Sequence, residues 1–262
     1  EIQHICSNIC SGGTPKSTVE EYYGGTIPWL NTKEINFNRI YKTEKTITDE
    51  GLNNSSAQWI PAKSVIVAMY GATAGKTAIT QIPLTTNQAC CNLTIDSTKA
   101  DYRFVFYALC NDYAYLASLA NGGAQQNLNA QQIREFEIPY PSIEEQECIA
   151  DILSSLDDKI ELNRWINDNL EQQAQALFNE MFPHITKGEN MIGDLIMPKR
   201  GKGLLSKNAI KGDIPVVAGG IEPATYHNQA NTTAPVLTIA ASGAIAGYIN
   251  LWHIPVRASD SS

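Results

Sequence analysis

From Ser142 to Met181 the chain runs without a glycine or a proline, and this stretch constrains the fold more than any other feature. Pro139-Tyr140-Pro141 holds the approach extended, Ser142 can cap a helix, and Glu145 three residues on completes an S-x-x-E capping box. The spacing predicts one helix of about 39 residues, roughly 58 Å long at 1.5 Å per residue. That is longer than one small domain. Ile149, Ile152, Leu153, Leu156 and Ile160 form a stripe at three- and four-residue spacing, continued by Leu170, Ala174, Leu177 and Met181. Asn163 and Asn167 fall inside that stripe. Either they sit in a seam with a second long helix, fixing its register at some cost in stability, or they face water on a solvated helix.

Before the helix, short apolar runs alternate with turn signals: Ser11-Gly12-Gly13-Thr14-Pro15, Gly24-Gly25, Gly51-Leu52-Asn53-Asn54 and Asn121-Gly122-Gly123. Ser64 to Met69 and Cys91 to Ile95 read as strands, rich in β-branched residues. Tyr102 to Leu119 reads as one helix packed on their sheet. After Pro183 the first pattern returns. Gly25-Thr26-Ile27-Pro28 is echoed by Gly212-Asp213-Ile214-Pro215, and Gly71-Ala72-Thr73-Ala74-Gly75 by Gly243-Ala244-Ile245-Ala246-Gly247. Pro83 and Pro255 follow their last glycine at the same interval. Three matches in one order indicate an internal duplication. The second copy stops before the counterparts of Cys90 to Met181, so by repeat logic about 90 residues are missing. The start at Glu1 and the serine-rich end from Ala258 to Ser262 then read as marks of a trimmed chain or natural fragment.

The expected class is α+β, with a mixed β-rich domain at 1–141, a long spacer helix at 142–183 and the start of a second β-rich domain at 184–262. Net charge is -8, which argues at first against a nucleic-acid partner. Its distribution softens that objection. Residues 1–140 hold 10 Lys/Arg against 12 Asp/Glu, residues 141–190 hold 3 against 11, and residues 191–262 hold 6 against 4. The acidity belongs to the connector, so a DNA reader built this way needs partners to supply much of the phosphate contact. No apolar run is long enough to span a membrane, and no secretory signal is visible. Cys6, Cys10, Cys90, Cys91, Cys110 and Cys148 form no C-x-x-C pair, which fits small buried thiols in a reducing cytoplasm.

Gly71 to Thr77 resembles a phosphate-cradling loop, but that loop needs four residues between its glycines and only three stand here. In the second copy Tyr248 stands where Lys76 does. A tight glycine-rich hairpin is the better reading. His4, His184, His227 and His253 are scattered, with no nucleophile elbow, metal-binding helix or carboxylate pair near them, so a catalytic role is disfavoured. What remains is polar chemistry on loops. Asn and Gln bond bidentately to adenine and Lys to guanine, which makes Gln125, Gln126, Asn127 and Asn129 candidate DNA contacts, with Lys16, Lys33 and Lys76 beside turns. Tyr70 and Thr73 of the glycine-rich hairpin join them. Alternatively, such amides merely cap turns.

In order, Ser11-Gly12-Gly13-Thr14-Pro15-Lys16, Ile27-Pro28-Trp29, the Gly71 to Lys76 segment and Thr86-Asn87-Gln88-Ala89-Cys90 resemble a target-recognition domain of the type I restriction-modification specificity subunits. Ile138-Pro139-Tyr140-Pro141, Glu144-Glu145-Gln146 and Leu156-Asp157-Asp158-Lys159-Ile160 are similar to the family's spacer helix. The resemblance implies two domains that each read half of a bipartite site in double-stranded DNA, held apart by two antiparallel helices. It implies methyltransferase subunits using S-adenosylmethionine and restriction subunits using ATP and Mg²⁺, but no cofactor and no catalysis for this chain, and a cytoplasmic setting. Two alternatives stand beside it: a half-length or silent specificity fragment acting through helix pairing, and a nucleotide-binding enzyme.

Overall fold

Four consecutive apolar residues, Val65 to Ala68, form the central strand of the first domain because both of its faces are covered. Val65 and Val67 turn into one buried cluster with Leu93, Val105, Phe106 and Leu109, while Ile66 and Ala68 turn into another with Leu30, Ile35 and Leu84. A strand buried on both sides loses the polar alternation of a half-exposed one. The computed structural model describes residues 1–120, 127–183, 188, 191–204 and 208–259.

The first domain contains β1 (Cys6–Ser11), β2 (Tyr23–Leu30), β3 (Asn38–Ile40), β4 (Lys45–Ile47), the short α1 (Asp49–Asn53), β5 (Val65–Ala68), β6 (Thr77–Thr80), β7 (Thr85–Thr86) and β8 (Cys90–Ile95). Then come α2 (Tyr102–Asn111), α3 (Tyr113–Ser118), α4 (Ala130–Arg134) and the long α5 (Ile143–Met181). One sheet has the order β1-β8-β5-β6-β3, antiparallel except where β3 joins β6; a smaller one has the order β4-β2-β7. The region expected as one helix from Tyr102 to Leu119 is two, α2 and α3, meeting at Asp112. Asn111 and Asp112 bond to each other there (2.8 Å), and such short polar side chains compete with helical backbone bonding.

The long helix has the expected bounds, 39 residues from Ile143 to Met181. Its cap forms as read: the Ser142 N–H donates to the Glu145 carboxylate at 3.0 Å, and the Glu145 N–H donates to Ser142 Oγ at 3.3 Å. The face it turns to its own domain is not the apolar stripe. Gln146, Ala150 and Ser154 are buried, recurring every four residues, and the Asp101 N–H donates to Gln146 Oε1 at 3.1 Å. Farther along, Arg39 of β3 pairs with Asp158 and, at 3.6 Å, with Glu161, and donates to the Ser154 carbonyl at 3.3 Å. Burial works against the Arg39 charge, but the Asp158 hydrogen bond and nearby carboxylates outweigh it and hold the pKa above the usual arginine range. Tyr41 donates to Glu161 (2.7 Å), Tyr107 to Asp157 (2.6 Å) and Arg103 to Asp151 (2.6 Å). Ile149, Ile152, Leu156, Ile160, Leu170, Leu177 and Met181 are all exposed.

The chain divides into two compact units, Glu1–Phe178 and Asn179–Ser262, so most of the helix goes with the first domain. The second unit contains the four-residue α6 (Ile192–Leu195) and β9 (Ile214–Val217), β10 (Thr225–His227), β11 (Val236–Ile239), β12 (Ile249–Trp252) and β13 (Arg257–Ala258). Its internal pairing repeats that of the first. β9 lies between antiparallel β10 and parallel β13, as β2 lies between β4 and β7, and β11 pairs β12 as β5 pairs β6. Even the register carries over: Val216 faces Thr225 and Arg257 as Trp29 faces Lys45 and Thr85. A further echo is Gly201, packed against Ala258 and Ser259 as Gly12 is packed against Thr86 and Asn87.

The glycines of the repeated G-x-I-P segments are required by close approach. A Cβ on Gly25 would stand 2.5 Å from the Ile47 carbonyl oxygen, and one on Gly212 would stand 2.5 Å from that of His227. Gly25→Ala should therefore lower stability by about 1–3 kcal/mol, the usual cost of overpacking, as read from urea unfolding; unchanged stability would mean that β2 and β4 are not packed as described. The thiols make a second check. All six cysteines are free; Cys90 and Cys91 are buried, and Cys148 is exposed on the helix, against the expectation that all are buried. Burial pushes the Cys6 and Cys91 thiols up to about 12 and Cys110 up to about 11. A thiol reagent at pH 8 should titrate Cys148 fast and the others slowly; several equally fast thiols would contradict that packing.

Candidate nucleic-acid interface

The glycine-rich segment is a hairpin between two buried strands, and its backbone accounts for its composition. Gly71 and Gly75 take φ of 69° and 84°, a left-handed conformation costly for other residues. The turn closes through Ala74 N–H to the Gly71 carbonyl (3.0 Å), Lys76 N–H to Thr73 (2.9 Å) and Gly75 N–H to Ala68 (2.8 Å). The second unit repeats each bond: Ala246 to Gly243 (3.2 Å), Tyr248 to Ile245 (3.0 Å) and Gly247 to Ala240 (2.7 Å), with Gly243 and Gly247 again left-handed. One backbone design thus presents Thr73 and Lys76 in the first domain and Ile245 and Tyr248 in the second. Because the hairpin leads into β6 and not into a helix, it lacks the helix N-terminus on which phosphate loops depend.

Four of the sequence-predicted residues are brought together here. Tyr70, 44% exposed, precedes the turn; Thr73 Oγ1 donates to the Tyr70 carbonyl at 3.3 Å; Lys76 closes the turn; and Asn127 forms an antiparallel bridge with Tyr70. Gln125 and Gln126 lie outside the described residues, and Asn129 caps α4, its Oδ1 accepting from the Gln132 N–H at 2.9 Å. Lys16 is exposed in the connection before β2, while Lys33, on a single 3₁₀ turn, pairs with Glu44, which raises its pKa. Three residues the sequence did not point to complete the surface. Lys76 Nζ donates to Asn36 Oδ1 at 2.8 Å and stands 5.9 Å over the Phe37 ring, whose edge-to-face partner is Tyr113 at 5.0 Å. Phe37 is 38% exposed and holds a left-handed φ of 54°, a strained position for an aromatic residue. Asn-Phe-Asn at 36–38 carries no signal of that geometry.

The three arginines of this domain, and Lys33, are engaged internally. Arg39 and Arg103 bind helix carboxylates, Arg134 donates to the Ile9 carbonyl (2.8 Å) and Lys33 binds Glu44. Among the described residues there is no cluster of ligands fit for a metal ion and no helix long and apolar enough to cross a membrane.

A β-rich module present twice, with equivalent glycine hairpins and a long helix following the first copy, defines a repeated scaffold. Residues 2–172 match the family model described as the type I restriction modification DNA specificity domain, and the chain belongs to that family. It is 35% identical over 178 residues to the type I restriction enzyme MjaIX specificity subunit of Methanocaldococcus jannaschii, covering 66% of this chain and 41% of that one. With the EcoR124I/EcoR124II specificity subunit of Escherichia coli it shares 28% over 152 residues, covering 56% and 37%. The chain thus spans about two-fifths of the length of these curated relatives. A crystal structure of the type I restriction-modification S subunit from M. genitalium superposes with a TM-score of 0.60 at 22% identity, covering 99% of this chain and 69% of that one, which supports the same fold.

A hairpin feeding a strand should not hold nucleotide. Adding millimolar ATP and Mg²⁺ should leave the thermal midpoint of the chain unchanged, and a clear upward shift would restore the nucleotide-binding alternative.

Proposed function

We propose that this chain recognises DNA sequence, without catalysing a reaction, as the specificity component of a type I restriction-modification complex. The observation that carries the reading is the duplication: two modules share strand register and hairpin hydrogen bonds but present different side chains at the turn. Equal frames with unequal tips suit a protein that reads two different half-sites. The first half-site is read by the surface of Tyr70, Thr73, Lys76 and Asn127, with Gln125 and Gln126 as further contacts and Lys16 and Lys33 near phosphates. Methyltransferase subunits supply much of the phosphate contact and the S-adenosylmethionine chemistry, and restriction subunits supply that of ATP and Mg²⁺. The complex works in the cytoplasm. The exposed stripe from Ile149 to Met181 takes a second long helix of the same pattern, and a helix of about 58 Å exceeds the roughly 34 Å repeat of DNA.

The direct experiment is to reconstitute the full-length subunit containing this chain with its methyltransferase partners and map the modified adenines. Exchanging residues 1–141 for another recognition domain should change one half of the modified sequence; an unchanged sequence would defeat the reading. Lys76→Ala should weaken binding. If Lys76 meets a phosphate the loss is uniform across sequences and the log–log salt slope falls by about 0.9, and if it meets a base edge the loss is about 1–3 kcal/mol at one position. Unaltered affinity removes the hairpin from the interface.

A further inference from the structure

The polar contacts between the first domain and α5 do more than satisfy buried groups. They come from two regions far apart in sequence, β3 with the residue after it (Arg39, Tyr41) and α2 (Arg103, Tyr107), and converge on successive turns of one helix face. Arg39 is central: its side chain is only 12% exposed, and its guanidinium meets Asp158, Glu161 and the Ser154 carbonyl together. A planar fork with several acceptors fixes direction as well as distance. Tyr41 adds an edge-to-face contact to Trp165, one turn beyond Glu161, with ring centres 6.0 Å apart. Apolar contacts alone would let a helix roll or slide, because they are non-directional. Among the described residues the second unit has no strand equivalent to β3, for residues 218–224 join β9 to β10 where residues 31–44, with β3, join β2 to β4.

We propose that Arg39 is a positioning residue, the pin of a latch that fixes the direction in which α5 leaves the first domain and so sets the gap between the two parts of the DNA target. The second half of that statement rests on the proposed function; the first does not. The β3 side of the latch belongs to the first copy, for the shorter connection between β9 and β10 contains no such strand.

Distances between spin labels at Glu50→Cys in the domain and Gln172→Cys on the helix, with Cys148→Ser, read the latch in the full chain without DNA. One narrow distance is expected for the parent. Arg39→Ala should replace it with a broad distribution, and Arg39→Lys should restore it in part by keeping a charge without the fork. If Arg39→Ala does not fold, Asp158→Asn with Glu161→Gln removes the same pairs from the helix side and should broaden the distribution too. A distribution that stays narrow in the folded variants overturns the latch. In the reconstituted complex, Arg39→Ala should modify sites whose half-site gap is longer or shorter by one base pair, which the parent rejects. Strict spacing in a complex whose labels show the broad distribution overturns the link between latch and gap, whereas a parent complex with no sequence preference defeats the proposed function and leaves the latch standing.

Discussion

The long helix uses one face for its own domain and keeps a different one free, and the rest of the structure follows from that division. The attached face carries Gln146, Ala150 and Ser154, then Asp157, Asp158 and Glu161, and it is held by hydrogen bonds and ion pairs. Each exposed ion pair is worth little, about 0–1 kcal/mol. Together they define orientation more than stability, because a misplaced helix would leave Arg39 partly buried without its carboxylates. The apolar stripe is left open, with Leu156 55% exposed and Ile152 59% exposed. So regular an exposed apolar stripe is what the proposed pairing with a second long helix would cover.

The same division explains why the chain can be acidic and still belong to a DNA-reading family. Three helix carboxylates, Asp151, Asp158 and Glu161, pair with Arg39 and Arg103 inside the first unit, so these two arginines are engaged there. At the hairpin itself Lys76 is steadied by Asn36 and Phe37. Under the proposed function, such a surface would discriminate through shape and a few polar groups and leave bulk attraction to phosphates to other subunits.

Much of this was legible in the sequence. The helix, its capping box and its length follow from Ser142, Glu145 and the missing glycines and prolines, and the duplication follows from short matches that the structure turns into shared registers. Those features are local or repeat at fixed intervals. What stayed hidden depends on contacts between distant positions. Arg39 and Asp158 lie 119 residues apart, and nothing near either one announces the other. Apolar periodicity drew attention to the stripe, so the polar face that actually docks went unnoticed. The surface around Lys76 is only half legible: Tyr70, Thr73 and Asn127 follow from loop chemistry, but Asn36 and Phe37 come from the segment before β3 and Tyr113 from α3. The parting of α2 from α3 at Asp112 reflects two polar side chains that a periodicity count passes over.

The two-faced helix is tested most directly by comparing thermal unfolding of Ala150→Glu and Leu156→Glu at concentrations low enough to keep the chain monomeric. Ala150 is buried against its domain and Leu156 is open to water. The account predicts a clear fall in melting temperature for Ala150→Glu and none for Leu156→Glu. Equal losses, or a loss confined to Leu156→Glu, would show that the apolar stripe is the face that docks on the domain, and would contradict it.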